Sequence, residues 1–212
     1  MAAWIGWPAE LGALLFFVGV PYLALGGWPM VPFSGLLAAT DMGMAGFGGD
    51  WPVARWLESV GTGLALGLAG IATLVTGWGL ANRGGGRLGL PARGGGILLL
   101  HGLAREVHWS FYRAALALTM ATIVASSPDG LLPLGNVYVG TWAALALVVV
   151  EWSLNPAWRE AWRDPARAGL AWLGVGLALL STLTFLLTRN LWICIGVHWL
   201  VTAAVATVAR RQ

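Results

Sequence analysis

The sequence predicts an all-α protein, a polytopic transmembrane helical bundle of about six spans with both termini in the cytoplasm. Hydrophobic residues make up 58% of the 212 residues and charged residues only 10%, and the mean hydropathy is +0.75. A soluble domain usually carries about 25% charged residues, so a chain this poor in charge is expected to lie in a bilayer. We expect one integral membrane domain over residues 1–212.

Six apolar segments are long enough, or nearly so, to cross a bilayer, which takes about 20 residues per helix. They run approximately over 9–28, 57–81, 97–125, 134–152, 168–187 and 191–208, and Pro21 interrupts the first. The first two spans and their loops therefore account for residues 1–96. The glycine-rich stretch 31–51 between them carries two acidic residues. We interpret it as an external loop, with or without a short interfacial or re-entrant helix.

Arginine placement predicts the orientation, because cytoplasmic loops carry an excess of positive charge. All twelve basic residues are arginines, and with six spans eight of them fall on one side: Arg83, Arg87, Arg93, Arg159, Arg163, Arg167, Arg210 and Arg211. The opposite side holds two arginines and four acidic residues: Arg55, Arg189, Asp41, Asp50, Glu58 and Asp129. Both termini are therefore expected in the cytoplasm, in a bacterial inner membrane or a photosynthetic membrane.

Small and aromatic residues predict how the helices pack and where they meet the interface. Gly63 and Gly67 have GxxxG spacing in the second span, with Gly70 one turn further on, which favours close helix contact. The stretch AWREAWRD (157–164) is typical of an interfacial helix, with Trp158 and Trp162 in the headgroup layer. The segment GGGRLGLPARGGG (84–96) lacks a phosphate-loop ending, so it is interpreted as a cytoplasmic linker.

Ionisable residues inside the predicted spans are functional candidates, because a charge within a bilayer is costly. They are His101, Arg105, Glu106, His108, Arg113, Glu151 and His198, and they include all three histidines of the chain. His101, Arg105 and His108 have i, i+4, i+7 spacing and share one helix face. Glu106 and Arg113, seven residues apart, share a neighbouring face, where the arginine is expected to hold the glutamate ionised directly or through Ser110.

Depth in the membrane predicts which of these groups meet. Glu106 lies about 14 Å into its span at about 1.5 Å per residue, and His198 lies at a similar depth in the last span. Glu151 lies nearer the cytoplasmic end of the fourth. We therefore expect Glu106 and His198 to meet, with Glu151 joining them.

Three interpretations of this set remain open. Glutamate and histidine are zinc ligands, and Glu106, Glu151 and His198 are the candidate metal ligands. A histidine in a span can instead ligate the metal of a haem or chlorophyll-type pigment, for which His101 and His108 are the candidates. The third interpretation is a buried polar network that only holds the helices together.

The C-terminal stretch FLLTRNLWICIGVHWLVTAAV (185–205) resembles the last motif of the CPBP family. These are the type II CAAX prenyl endopeptidase-like, or Abi, intramembrane metalloproteases. Members typically show R-x-x-[NS]-L-W-x-x-[IM]-x-x-H-x-x-x-[ND], and the matching residues are Asn190, Leu191, Trp192, Ile195 and His198. AREVHWSFYR (104–113) resembles a variant of the E-E-x-x-x-R element, and VVVEWSLNP (148–156) takes the place of F-x-x-x-H. The resemblance covers about residues 97–208.

The resemblance implies roles for three residues. Glu106 and His198 match metal or catalytic positions, and Arg113 corresponds to the motif arginine, although it follows the glutamate by seven residues and not four. The departures are Arg105 for the first glutamate, Glu151 for the second-motif histidine, Leu147 for its phenylalanine and Thr202 for the final Asn or Asp.

We consider three functions. The first, which we favour, is a non-catalytic scaffold or subunit of a larger membrane complex, in contact with other membrane protein subunits and with or without a haem or chlorophyll. The second is an active intramembrane metal-dependent endopeptidase that uses zinc, with Glu106 and Arg113 as catalytic residues. The third is a small transporter. The lipid bilayer is a partner in each case, and a nucleic acid is not, because the arginines form no single basic face.

Overall fold

The structure, a computed structural model, describes residues 11–44, 46, 51–83, 95–125 and 136–209. These residues form helices and turns without a strand, which confirms the all-α class. The helices are α1 (Leu11–Leu25), α2 (Val53–Arg83), α3 (Gly95–Ala125), α4 (Asn136–Leu154), α5 (Pro156–Arg163), α6 (Pro165–Thr188) and α7 (Leu191–Ala209). The predicted linker after Arg83, the loop with Asp129 and the arginines at 210 and 211 lie outside the described residues.

Four of the described helices are long and apolar enough to cross a membrane: α2, α4, α6 and α7. Much of their apolar surface faces outwards. In the most apolar stretch of α2 only 11% is buried, and Leu64 and Leu68 are 52% and 63% exposed. Apolar surface of this extent is not stable in water, whereas lipid solvates it. These helices are therefore those of a membrane protein.

The two other predicted spans correspond to helices with different properties. α1 is a shorter apolar helix, and a π-helical turn, Leu15–Gly19, lies just before the expected interruption at Pro21. Proline has no N–H to donate, which disfavours regular α-helical bonding there. The chain leaves α1 after Leu25 at a glycine pair in which Gly27 has a φ of 78°. α3 has 31 residues and packs against α1, α4 and α7, so its charged residues have protein neighbours.

The glycines of α2 allow it to pack directly on α6 and α7. A Cβ at Gly63 would lie 2.4 Å from the Ile193 side chain in α7, and one at Gly70 would lie 2.7 Å from Leu180 in α6. The close helix packing predicted from the glycine spacing is confirmed.

Replacing Gly63 with leucine is expected to lower the stability of the protein by about 3 kcal/mol, the upper part of the usual range for overpacking. The reason is that no room exists for a side chain between α2 and Ile193. Thermal unfolding in detergent measures the effect as a lower Tm. Gly61→Leu is the matched control, because a Cβ at Gly61 has nothing within 4 Å. Equal losses of Tm in the two variants would contradict the packing argument.

The segment between α1 and α2 folds back into the bundle. Met42 is fully buried, and its carbonyl accepts a hydrogen bond from the Ser110 hydroxyl of α3. The Gly43 carbonyl accepts one from the Leu191 amide, at 2.9 Å, where α7 begins. Residues 26–44 form successive turns, so this stretch, which we call the folded-back segment, lacks the short helix that we considered. Its glycines explain the turns, since several have positive φ, which a helix does not allow.

Gly43→Ala is expected to destabilise this segment far more than Gly35→Ala. Both glycines have positive φ, 77° and 69°, so each alanine meets a backbone cost of about 1 kcal/mol. Only at Gly43 would the new Cβ also lie 2.8 Å from the Phe185 ring and 3.0 Å from the Leu191 nitrogen. Hydrogen exchange of the Leu191 amide should therefore speed up in Gly43→Ala. Similar exchange in both variants would show that φ alone, and not the close approach, requires glycine.

The predicted interfacial helix is α5, which begins at a capped turn. The Asn155 side chain accepts a hydrogen bond from the Ala157 amide at 3.0 Å. The headgroup position of the two tryptophans stays a prediction, and Trp158 also packs on protein: it is half-buried and stacks on Trp152 of α4, with ring centroids 4.2 Å apart. The reason is Gly174 of α6, which leaves room for the indole. Trp162 is 43% exposed, as an interfacial residue should be.

Candidate functional site

A buried carboxylate on α3 lies at the centre of the candidate site. Glu106 is 0% exposed, and its Oε1 lies 2.9 Å from Nδ1 of His198 on α7. Its Oε2 accepts a hydrogen bond from the Ser181 hydroxyl of α6 and lies 3.8 Å from Nη1 of Arg113. The contact between Glu106 and His198 that depth predicts is therefore present. We call Glu106, Arg113, Ser181 and His198 the Glu106 network.

Ser181 connects the glutamate to the arginine. Nη2 of Arg113 donates to the Ser181 oxygen at 2.7 Å, and the same hydroxyl donates to Glu106. The expected bridge was Ser110, but its hydroxyl donates instead to the Met42 carbonyl of the folded-back segment. The Arg113 guanidinium also lies 5.0 Å from the centre of the Phe185 ring, a cation–π contact.

The turn between α6 and α7 fixes the position of His198. Asn190 is fully buried, and its side-chain oxygen accepts hydrogen bonds from the amides of Trp192 and Ile193, at 2.8 and 3.3 Å. This is an N-cap, which satisfies amides at the start of a helix that have no partner within it. Because α7 begins at this cap, His198 lies two turns along, level with Glu106.

A second hydrogen-bonded pair lies on another side of α3. Nε2 of His108 is 3.3 Å from Oε2 of Glu151 on α4, and the Tyr112 hydroxyl donates to the same oxygen at 3.4 Å. His108 is 2% exposed and Glu151 is 32% exposed. The structure therefore pairs Glu151 with His108 instead of bringing it to Glu106 and His198. The physical reason is helix geometry: positions 106 and 108 point about 200° apart around a helix, so α4 and α7 meet different groups.

The residues of the Glu106 network do not fit a zinc site. A catalytic zinc usually needs three protein ligands. Within the part of the chain that the structure describes, no three His, Cys, Asp or Glu residues lie close enough together to hold a metal ion. Glu106 already engages both carboxylate oxygens, and Glu151 belongs to the other pair.

His108 does not fit an axial ligand of a haem or chlorophyll. Its ring lies 4.6 Å from Phe17, 5.2 Å from Phe16 and 4.3 Å from Tyr112, measured between centroids. A macrocycle could reach this imidazole only if those rings moved away, and Nε2 already faces Glu151. His101 and Arg105, predicted on the same face of the helix, are half-buried on α3.

The fold and the Glu106 network define a class: an all-helical membrane protein with charged groups buried between its helices. No family model, no curated protein and no solved structure matches the chain. The resemblance to the CPBP family stays a prediction that rests on the motif residues of α3 and α7.

Proposed function

We propose that the protein is a non-catalytic relative of the CPBP metalloproteases and serves as a scaffold or subunit of a larger membrane complex. The observation that carries this proposal is the closure of the Glu106 network. Both oxygens of Glu106 are engaged by groups of the same chain, and the charged and polar members of the network are each at most 4% exposed. A carboxylate that activates water for peptide hydrolysis needs room for water and substrate beside it.

The space around the network supports a structural role. The cavity that borders Arg113 has a volume of about 10 Å³ and is also lined by Trp109 and Thr182. That is space for about one water molecule, whereas ligand sites usually measure about 300–1,000 Å³. A buried charged network can instead fix how helices pack, because any other arrangement leaves its charges unpaired. Here it connects α3, α6 and α7.

Six spans remain part of this proposal, with α1 and α3 added to the four long apolar helices. Both termini then lie on the cytoplasmic side of a bacterial inner or photosynthetic membrane, as the arginine distribution favours. A Gln212→Cys variant tests the orientation, since the native Cys194 is buried. A membrane-impermeant maleimide should label position 212 in inside-out vesicles and not in right-side-out vesicles. The reverse pattern would overturn the orientation.

The test of the proposed function is the size and metal content of the protein taken from its own membrane. After mild solubilisation, the 22.3 kDa chain should migrate in an assembly with other membrane proteins. Glu106→Gln, a nearly isosteric change, should preserve that assembly. Elemental analysis should find no stoichiometric zinc, and the absorption spectrum should decide separately whether the assembly carries haem or chlorophyll. A monomer with about one zinc per chain would overturn the proposal.

A second candidate, the metal-dependent endopeptidase, is favoured by one observation. The two residues that match the family's metal or catalytic positions, Glu106 and His198, are in contact at 2.9 Å. This candidate requires the network to open and other ligands to join. It predicts zinc that is lost in His198→Ala and retained in His101→Ala, the control histidine. Absence of zinc from the wild-type protein would exclude it.

A further inference from the structure

An apolar cleft lies between α2 and α6, with Val205 of α7 at its base. Its volume is about 480 Å³, within the range of about 300–1,000 Å³ that is typical of small-molecule sites. Its walls include Leu74 and Trp78 of α2 and Leu173 of α6. Thr73 also lines it, but its hydroxyl already donates to the Ala69 carbonyl at 2.9 Å. The cleft therefore suits a hydrocarbon chain better than a polar ligand.

The cleft exists because α2 and α6 touch at one level and separate beyond it. A Cβ placed on Gly70 would lie 2.7 Å from the Leu180 side chain, and one placed on Gly176 would lie 2.7 Å from the Leu74 side chain. The two helices are therefore in close contact at this level. Further along α2, a Cβ on Gly77 would have nothing within 4 Å. The helices thus separate towards the C-terminal end of α2 and the N-terminal end of α6.

The mouth of the cleft is at the end of the bundle where α2 ends and α6 begins. The described segment 155–167 at this end carries three arginines and two acidic residues, and in the sequence four more arginines follow α2 and α7 directly. Trp172, which lines the cleft and is 59% exposed, meets Trp162 of α5 edge-on with centroids 5.1 Å apart. α5 is therefore beside the mouth, and the exposed residues Arg163 and Arg167 follow Trp162 in the sequence. The Arg167 guanidinium lies 3.3 Å from the Asp164 carboxylate, an exposed pair that a phosphate can share.

We propose that this cleft binds an anionic glycerophospholipid, with an acyl chain between α2 and α6 and the phosphate near Arg163 and Arg167. The apolar cleft accommodates the acyl chain, and the excess of arginine favours a lipid with net negative charge. Each arginine near an anionic lipid surface contributes about 1 kcal/mol. Two such residues, of which Arg167 is partly neutralised by Asp164, correspond to a preference of about tenfold over a zwitterionic lipid with the same chains.

Native mass spectrometry of the full chain tests the proposal with phosphatidylglycerol and phosphatidylcholine of identical chains, added in equal amounts. Wild type should retain phosphatidylglycerol about tenfold more often. Gly77→Leu should fill the cleft and abolish retention. Gly79→Leu is the matched control, because it makes the same change two residues away, where a Cβ also has nothing within 4 Å. The double variant Arg163→Gln/Arg167→Gln, which leaves the cleft intact, should bind both lipids equally.

Two results would overturn the proposal. Equal retention of the two lipids by wild type would show that no anionic headgroup is selected. Equal retention by Gly77→Leu and Gly79→Leu would place any bound lipid outside the cleft. If Gly77→Leu failed to fold, the arginine double variant would still test the proposal. Unchanged selectivity for phosphatidylglycerol in that variant would exclude the assigned headgroup site.

Discussion

Replacing Glu106 with leucine is expected to destabilise the protein by about 3–5 kcal/mol, the usual cost of removing one partner from a buried ion pair. The carboxylate is fully buried and accepts from the Ser181 hydroxyl, and it is the nearest anion to Arg113. Without it, the guanidinium remains at 2% exposure beside a serine oxygen and an aromatic ring, neither of which carries a charge. Unfolding in mixed micelles measures the loss, and Glu58→Leu, at an exposed glutamate of α2, should change stability by less than about 0.5 kcal/mol.

The double variant Glu106→Leu/Arg113→Leu separates the loss of a hydrogen-bond acceptor from the burial of an unpaired charge. Removing both charges should recover more than half of the stability lost in Glu106→Leu, because apolar replacements of a buried ion pair are often neutral or stabilising. Stability lower than in the single variant would show that the unpaired arginine is not what destabilises Glu106→Leu. A loss below about 1 kcal/mol in Glu106→Leu would show that water reaches the carboxylate.

The contacts of this site that depend only on depth along the helix axis could be predicted from the sequence. Glu106 and His198 meet because each residue advances a helix by a fixed rise, so counting from the span ends gives their depth. The helix boundaries agree with the apolar segments for a similar reason, since the length of an apolar run determines how much chain the bilayer accommodates.

The partner of Glu151 could not be found by depth alone. It depends on the rotation of α3, which points position 108 and not position 106 towards α4. The spacing of the histidines already separated the two faces, but nothing in the sequence says which neighbouring helix each face meets. That choice is made by packing, for example by the glycines that bring α2 against α6 and α7.

The hydrogen bonds of Ser181 and of the folded-back segment have no signature in the sequence. Hydroxyl residues within an apolar helix are common, and α6 contains four of them. Only the position of α6 brings Ser181 between Arg113 and Glu106. The segment 26–44 is fixed by carbonyls of Met42 and Gly43, groups that every residue possesses. Backbone acceptors of this kind cannot be recognised from residue type.

Trp158→Ala is expected to cost about 3 kcal/mol and to release α5 from the bundle. The Trp158 indole stacks on Trp152 at an interplanar angle of 13°, and a Cβ on Gly174 would lie 2.6 Å from its ring. This one side chain therefore joins α5 to both α4 and α6. Truncation of a packed tryptophan to alanine usually costs about 3–5 kcal/mol, and we expect the lower end because Trp158 is only half-buried.

Limited trypsin digestion measures the release directly, since α5 contains Arg159 and Arg163. Cleavage of a folded segment follows the population of its open form when opening is fast, so about 3 kcal/mol of lost local stability should accelerate cutting about a hundredfold. Trp162→Ala is the control on the same helix: its indole is 43% exposed, so cleavage should change much less. Equal rates in the two variants would mean that α5 is held by the lipid interface and not by its stacked tryptophan.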